Sequence, residues 1–324
     1  MVTKLFVAIL GLLALTAGAS AQTFPNKPIT MIIPFAPGGP TDVLGRVVAV
    51  RLGEILGQQI VIENVGGAGG MTGSRRGADA PADGYTIVLG TVGTHAQGQT
   101  LYKKPLYDAL ADFTPVALLA EVPIVLITRK DLPANNFKEF IAYAKANQAK
   151  MQYGSAGVGA ASHLGCVLLN YVIGTSVTHV PYRGTGPATQ DLLAGRIDFL
   201  CQAITAAKSQ IDAGTVRAPA LLDAARSPAL PNVPTALEQG VKGLEAYTWN
   251  ALFLPKNAPA AVVKTLNTAA VQALKSPQVR DRLEPLGAQI VADNRTSPEY
   301  LREFVKKEID KWAAPIKASG VFAD

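Results

Sequence analysis

The chain has 324 residues, 48% of them apolar and 17% charged, with a formal net charge of +6. The positive charge is scattered rather than gathered in a basic tract, which argues against a nucleic-acid partner and suits an anionic small ligand. Two cysteines and three histidines (His95, His163, His179) without ligand-like spacing give no metal site.

Residues 1–21, MVTKLFVAILGLLALTAGASA, carry one charge at Lys4, an apolar run through Ala17 and the small-residue ending Ala19-Ser20-Ala21. This reads as a secretory leader cleaved after Ala21. A membrane anchor is the alternative, but the apolar part is short for a span and no basic cluster follows it. Removing Lys4 with the leader leaves 303 residues at +5, enough for two lobes of ordinary size. Export points to the bacterial periplasm, where Cys166 and Cys201 can oxidise. Both lie in apolar surroundings, so a disulfide and two buried thiols stay equally open.

In chain order, PITMIIPF reads as a strand with both faces apolar, and TDVLGRVVAVRLGEILG as a helix with Thr41 or Asp42 able to cap its first turn. QIVIENV is the next strand, GGAGGMTGSRRGADA a glycine-rich passage into a helix, and GYTIVLGTVGTHA a strand with a threonine-rich end. A second cycle follows. EVPIVLITRKDL and NNFKEFIAYAKAN give strand and helix; MQYGSAGVGAASHLGCVLLNYVIG gives strand, glycine-rich turn and helix. SVTHVPYRGTGPATQDLLAGRIDFLCQ repeats that order and adds a strand, with Gly195 marking a helix end. SPALPNVPTALEQG is proline-rich and then a short helix; LEAYTWNALFLPKNAP is a returning strand; residues 260–322 are largely helical.

This alternation predicts an α/β protein of two lobes, each a mainly parallel sheet flanked by helices. The expected boundaries are 22–122 for the first part of lobe one, 123–235 for lobe two and 236–324 for the return to lobe one. Ligands in such sheets sit beyond the C-terminal strand ends, where the glycine-rich turns lie.

PFAPGGPTD, residues 34–42, has no basic side chain, yet a strand-to-helix turn presents unpaired N–H groups and the helix dipole favours an anion there. Its candidate donors are Gly38, Gly39, Thr41 and the Asp42 amide, with Asp42 itself expected to cap the helix rather than meet an anion. Thr91, Thr94 and His95 stand at the end of another strand. The loop GSAGVGAASH adds Ser155, the Ala156 and Gly157 amides, and Ser162 or His163; PYRGTGPATQD adds Tyr182, Arg183, Gly184 and Thr185. Rival chemistries lack their signatures: GSAGVG has no P-loop lysine, the turn at Pro34 lacks dinucleotide spacing, and no Gly-x-Ser-x-Gly elbow occurs. No cofactor is expected, and the alternative of a secreted α/β enzyme finds no demanding motif.

From FPNKPITMIIPFAPGGPTDVLGR through ADGYTIVLGT, YGSAGVGAASH, VTHVPYRGTGPATQDLLAGRIDF and WNALFLPKNAP, the chain resembles the periplasmic substrate-binding proteins of the tripartite tricarboxylate transporter family, the Bug-type receptors. The resemblance implies a non-enzymatic, two-lobed "Venus flytrap" receptor, a monomer, that encloses a small organic acid. It implies ligand contacts from Pro37, Gly38, Gly39, Thr41 and Asp42 on one side, and from Ser155, Gly157, Gly159 and His163 with Arg183, Gly184 and Thr185 on the other. Thr91 and Thr94 would line the first-lobe wall. The implied partner is a membrane permease of one large and one small subunit; a sensor kinase is the alternative. Many relatives carry an aspartate near Cys201-Gln202. The neutral Gln202 fits a plain dicarboxylate or aromatic acid better than a ligand with an amino group.

Overall fold

The computed structural model describes residues 24–319 and 322–324, so the expected leader lies outside the described residues. Strand β1 (Ile29–Ile33) is buried at Ile29, Met31, Ile32 and Ile33, as a strand covered on both faces should be. Helix α1 (Pro40–Leu56) has Gly39 as N-cap, Pro40 in its first turn and Gly57 beyond its end at φ 66°. Its Leu44, Val48 and Leu52 recur every four residues and are fully buried, and at about 1.5–3 kcal/mol each they fasten the helix to the sheet. Strand β2 (Ile60–Asn64), helix α2 (Met71–Ala78) and strand β3 (Thr86–Thr91) complete the first cycle; a wide helical turn (Gly93–Gln97) runs into the short α3 (Gly98–Leu101).

Strand β4 (Phe113–Arg129) carries the chain between lobes. Its first half pairs antiparallel with β9 (Tyr247–Pro255), and its second half with β7 (Phe199–Ala203) and β8 (Val216–Leu222). The second lobe is built from α4 (Phe137–Asn147), β5 (Gln152–Ser155), α5 (Ala161–Ile173), β6 (Thr178–Pro181), α6 (Thr185–Leu193), β7, α7 (Ile204–Asp212) and β8. After β9 come α8 (Ala260–Lys275), α9 (Pro277–Leu283), β10 (Gln289–Ile290) and α10 (Pro298–Ser319). The sheet has ten strands, ordered β2-β1-β3-β9-β4-β7-β5-β6, with β8 and β10 both pairing β4. Its outer parts are parallel, as expected; the antiparallel centre exists because β4 and β9 run between the lobes in opposite directions.

Each lobe has apolar packing on both faces of its part of the sheet. In lobe one, α1, α8 and α9 cover one face, while Met71 and the Leu301 and Val305 of α10 cover the other. Glu308 on α10 is buried, accepting from Tyr247 Oη at 2.6 Å and Trp249 Nε1 at 3.0 Å, which pins the last helix to β9. In lobe two, α4 and α5 cover one face, and α6 and α7 the other. Cys166 on α5 and Cys201 on β7 are joined in a disulfide.

Two expectations change. The sequence places 236–246 with lobe one, but Ala236, Leu244 and Ala246 are in the second-lobe core. The Ala236 N–H donates to Leu221 O and the Ala246 N–H to Leu222 O, so the chain crosses back only at Tyr247. The short helix expected after Val233 is a turn: Thr235 and Glu238 exchange capping bonds of 2.8 and 3.0 Å, but Gly240 at φ 84° stops it before a helix forms.

Candidate functional site

Parallel strands β1, β5, β6 and β7 each end at the start of a helix, and those four helix starts meet in one cavity. Gly39, Pro40 and Thr41 line it from α1; Ala160, Ala161 and Ser162 from α5; Thr185 from α6; and Ala203 from the start of α7. Phe35, Thr91, Ile124, Ala156 and Thr248 complete the wall, leaving about 40 Å3 open to the centre of a water-sized atom. Among the described residues that line it, none is acidic, basic, a histidine or a cysteine.

The first turns of these helices leave N–H groups without intrahelical acceptors, and each N-terminus carries roughly half a positive charge. An anion is therefore drawn in by backbone dipoles alone. Hydroxyls add direction. Thr185 Oγ1 is buried with no hydrogen-bond partner, and Thr205 Oγ1 on α7 and Asn250 Oδ1 on β9 are in the same condition near the wall. Asn250 follows the lining Thr248 by two residues and so shares its face of β9. Ser162 Oγ is already engaged, accepting from the Ala156 N–H at 2.9 Å.

Of the residues expected from the sequence, Gly39, Thr41, Thr91, Ala156, Ser162 and Thr185 reach this cavity. The others build its frame. The Gly38 N–H is not free for a ligand: it donates to Asp42 Oδ2 at 3.0 Å. Asp42 sits at the third helical position, reaching back to the turn, and is also held by Arg46 Nε at 3.0 Å and Asn64 Nδ2 at 2.9 Å. Burial pushes its carboxyl up, but the bonds from Arg46, Gly38 and Asn64 outweigh that and hold it below the usual carboxylate range. The N-cap is Gly39 rather than Thr41 or Asp42.

Thr94 turns inward. Its Oγ1 accepts from the Thr91 N–H at 2.9 Å and contacts His95 Nδ1 at 2.8 Å, while His95 stacks on Phe253 with centroids 4.0 Å apart. Ser155 is fully buried, its Oγ accepting from the Gly157 N–H at 3.0 Å and lying 2.7 Å from His179 Nε2. That serine–histidine pair braces the loop and lines no part of the cavity. His163 likewise accepts the Gly159 N–H at its Nδ1 (3.2 Å) and packs 4.2 Å from the His179 ring. Burial pushes His163 down to about 3 and His179 to about 4, so both are neutral braces beneath the glycine loop. Gly157 and Gly159 hold that loop at φ 116° and 85°.

Arg183 is exposed and lines no part of the cavity. Its carbonyl accepts the Ala36 N–H at 2.8 Å, a bond between lobes, as is Tyr102 Oη to Val158 O at 2.9 Å. Pro37 touches lobe two through its carbonyl, and Gly184 is the N-cap of α6. Sequence reasoning missed α7 and the wall residues Ile124, Ala203 and Thr248. The one available signal was the strand RIDFLCQ running directly into ITAAKSQID.

A larger hollow of about 430 Å3 lies at the strand crossings, lined by Glu121, Asp223, Glu245, Tyr247, Lys311 and Trp312 among others. It sets three carboxylates, Glu121, Asp223 and Glu245, against the single Lys311 and has no helix N-terminus, so it suits an anion less than the smaller cavity does. Among the described residues no cluster suits a metal ion, and no helix is long and apolar enough to cross a membrane.

Residues 44–321 match the profile of the tripartite tricarboxylate transporter family receptor. The chain belongs to this receptor family. The structure of the periplasmic binding protein BugD is similar at a TM-score of 0.90 and 39% identity, covering 93% of this chain and 100% of that one. MatC of Rhodopseudomonas palustris, solved with bound malate, gives 0.88 and 38% over 90% of this chain and 100% of its own. A second R. palustris protein, solved with adipate, gives 0.87 and 35% over 92% and 99%. The chain is thus a solute-binding receptor by family, and the family implies the periplasm.

Proposed function

We propose that this receptor captures a small dicarboxylate in the periplasm, without catalysis, and passes it to a membrane permease of one large and one small subunit. The observation that carries the reading is the convergence of four helix N-termini on a cavity lacking any charged side chain. An ammonium group finds no counter-charge there, whereas a carboxylate finds N–H groups and the unpaired Thr185 hydroxyl. The small space excludes nucleotides and peptides, and the hydroxyls have no base beside them to make a nucleophile. Malate and adipate, held by two relatives, make diacids of four to six carbons the first ligands to test. Delivery by a leader cleaved after Ala21 belongs to the same reading.

The test is a thermal-shift screen of refolded mature protein over dicarboxylates of three to nine carbons, tricarboxylates, amino acids and aromatic acids. Calorimetry then compares the best diacid with its monoester. Losing one carboxylate charge and its charge-assisted bonds should weaken binding on the order of 100-fold. Equal affinity for diacid and monoester refutes the carboxylate cradle.

A further inference from the structure

Three glycines of ordinary backbone conformation, Gly66, Gly93 and Gly186, leave little or no room for a Cβ, and in each case the nearest obstacle belongs to the other lobe. A Cβ on Gly186, in the first turn of α6, would overlap the Pro37 carbonyl oxygen. One on Gly66, in the loop after β2, would overlap the Arg183 carbonyl oxygen and lie 3.1 Å from Arg183 Cβ. One on Gly93, after β3, would lie 3.0 Å from Gly159 O and 3.1 Å from Ala160 Cα. The three atoms nearest such a Cβ on Gly186 or on Gly93 all belong to the other lobe, and neither glycine has a positive φ that would demand glycine. Gly186 also sits in a helix, where alanine is the better residue. Neither folding of lobe two nor the α6 helix therefore requires glycine at 186.

We infer that Gly66, Gly93 and Gly186 are closure glycines: they let the two lobes meet backbone to backbone around the cavity, and so fix how far the receptor shuts. This rests on the receptor reading above and adds positioning residues whose positions are outside the cavity lining. A hinged receptor binds tightly only through its closed population, so a wedge at these contacts taxes affinity without touching the cradle. The contacts are graded. Gly186 and Gly66 would overlap carbonyl oxygens, while Gly93 asks its neighbours to give only a few tenths of an ångström. A Cβ on Gly66 would also lie 3.2 Å from Ala36 N in its own lobe, so Gly186 is the cleaner probe.

The experiment uses Gly186→Ala, Gly93→Ala and the control Gly165→Ala in the mature protein; a Cβ on Gly165 meets only ordinary contacts of 3.4 Å or more. Two readouts are taken: calorimetric Kd for the best compound of the thermal-shift screen, and ligand-free hydrogen exchange at the Ala36 amide, which bonds across the lobes to Arg183 O. Gly186→Ala should raise Kd at least about tenfold and speed Ala36 exchange, Gly93→Ala less, with unliganded melting temperatures unchanged and Gly165→Ala like wild type. If diacids fail to bind, the carboxylate reading falls, and Ala36 exchange alone still decides this one. Wild-type exchange at Ala36 in Gly186→Ala, or an unchanged Kd for whatever ligand does bind, overturns the assignment.

Discussion

The unpaired hydroxyl of Thr185 permits a prediction with two signs. Thr185 is the first residue of α6, only 3% exposed, and its Oγ1 has no intramolecular partner. A buried hydroxyl left without a hydrogen bond costs about 1–3 kcal/mol, and Thr185→Val removes it while keeping the side-chain shape. The unliganded variant should therefore be more stable, with a melting temperature roughly 2 °C or more above wild type. Binding should move the other way. A hydrogen bond to a charged carboxylate contributes about 1.5–3 kcal/mol, so Kd should rise roughly 10- to 150-fold. Thr185→Ser keeps the hydroxyl and should stay within a few-fold of wild type. The Thr185 carbonyl, which accepts from Thr189 Oγ1 at 2.8 Å, is untouched in every variant, so helix α6 does not confound the comparison. Scanning calorimetry without ligand and titration calorimetry with the best diacid read the two signs. An unchanged Kd alongside a raised melting temperature would mean that the hydroxyl faces the cavity but never the ligand, and the argument would fail.

Three further outcomes follow from the frame around the cavity. Asp42→Ala strands the Gly38 N–H, leaves Asn64 Nδ2 only its bond to Phe35 O, and should cost about 2–4 kcal/mol in urea denaturation; a loss under about 1 would show the turn is held by packing alone. Replacing Cys166 and Cys201 together by alanine opens a loop of sequence separation 35, which chain entropy sets at about 4 kcal/mol; equal stability of the bridged and alanine proteins would contradict this. His95, His163 and His179 are pushed down by burial to about 3, 3 and 4. Their folded values lie below the unfolded one, so stability is fully present above about pH 6.5 and lost as pH falls, by about 1.4 kcal/mol per unit for each histidine. Urea midpoints from pH 7.5 to 4.5 should therefore decline steeply below 6.5, and a flat profile down to pH 5 would show that these rings titrate freely.

Much of the fold is legible because local and tertiary preferences agree. The helix α1 announces itself by Pro40 at its start, Gly57 beyond its end and an apolar stripe between, and all three are where the structure uses them. The first half of β4 is not legible. FTPVALLA has proline within it and no alternation, and its strand character comes from pairing with β9 across register shifts at Pro115–Ala117 and Leu118–Ala120. The same long-range pairing makes the sheet centre antiparallel, a fact about residues more than a hundred positions apart that no local window contains. Helix α7 escaped for the opposite reason: β7 runs into it at Ala203 with no glycine or proline to mark the change.

The site divides along the same line. Glycine-rich turns advertise themselves, so the sequence leads to PFAPGGPTD, GSAGVG and PYRGTG. It does not say which members face inward and which brace the turn. Gly38, Ser155 and His163 are reasonable anion contacts by chemistry, yet each is committed to another loop atom. A turn that binds through its backbone must first be fixed in shape, and the polar side chains around it are consumed in fixing it. What remains to face the cavity are N–H groups, which every sequence possesses, and a few hydroxyls such as those of Thr41 and Thr185. A backbone cradle is for that reason visible in a sequence through its stiffness rather than through its donors, and the shape of the space between the helix ends is left to the few wall side chains, Phe35, Ile124 and Thr248.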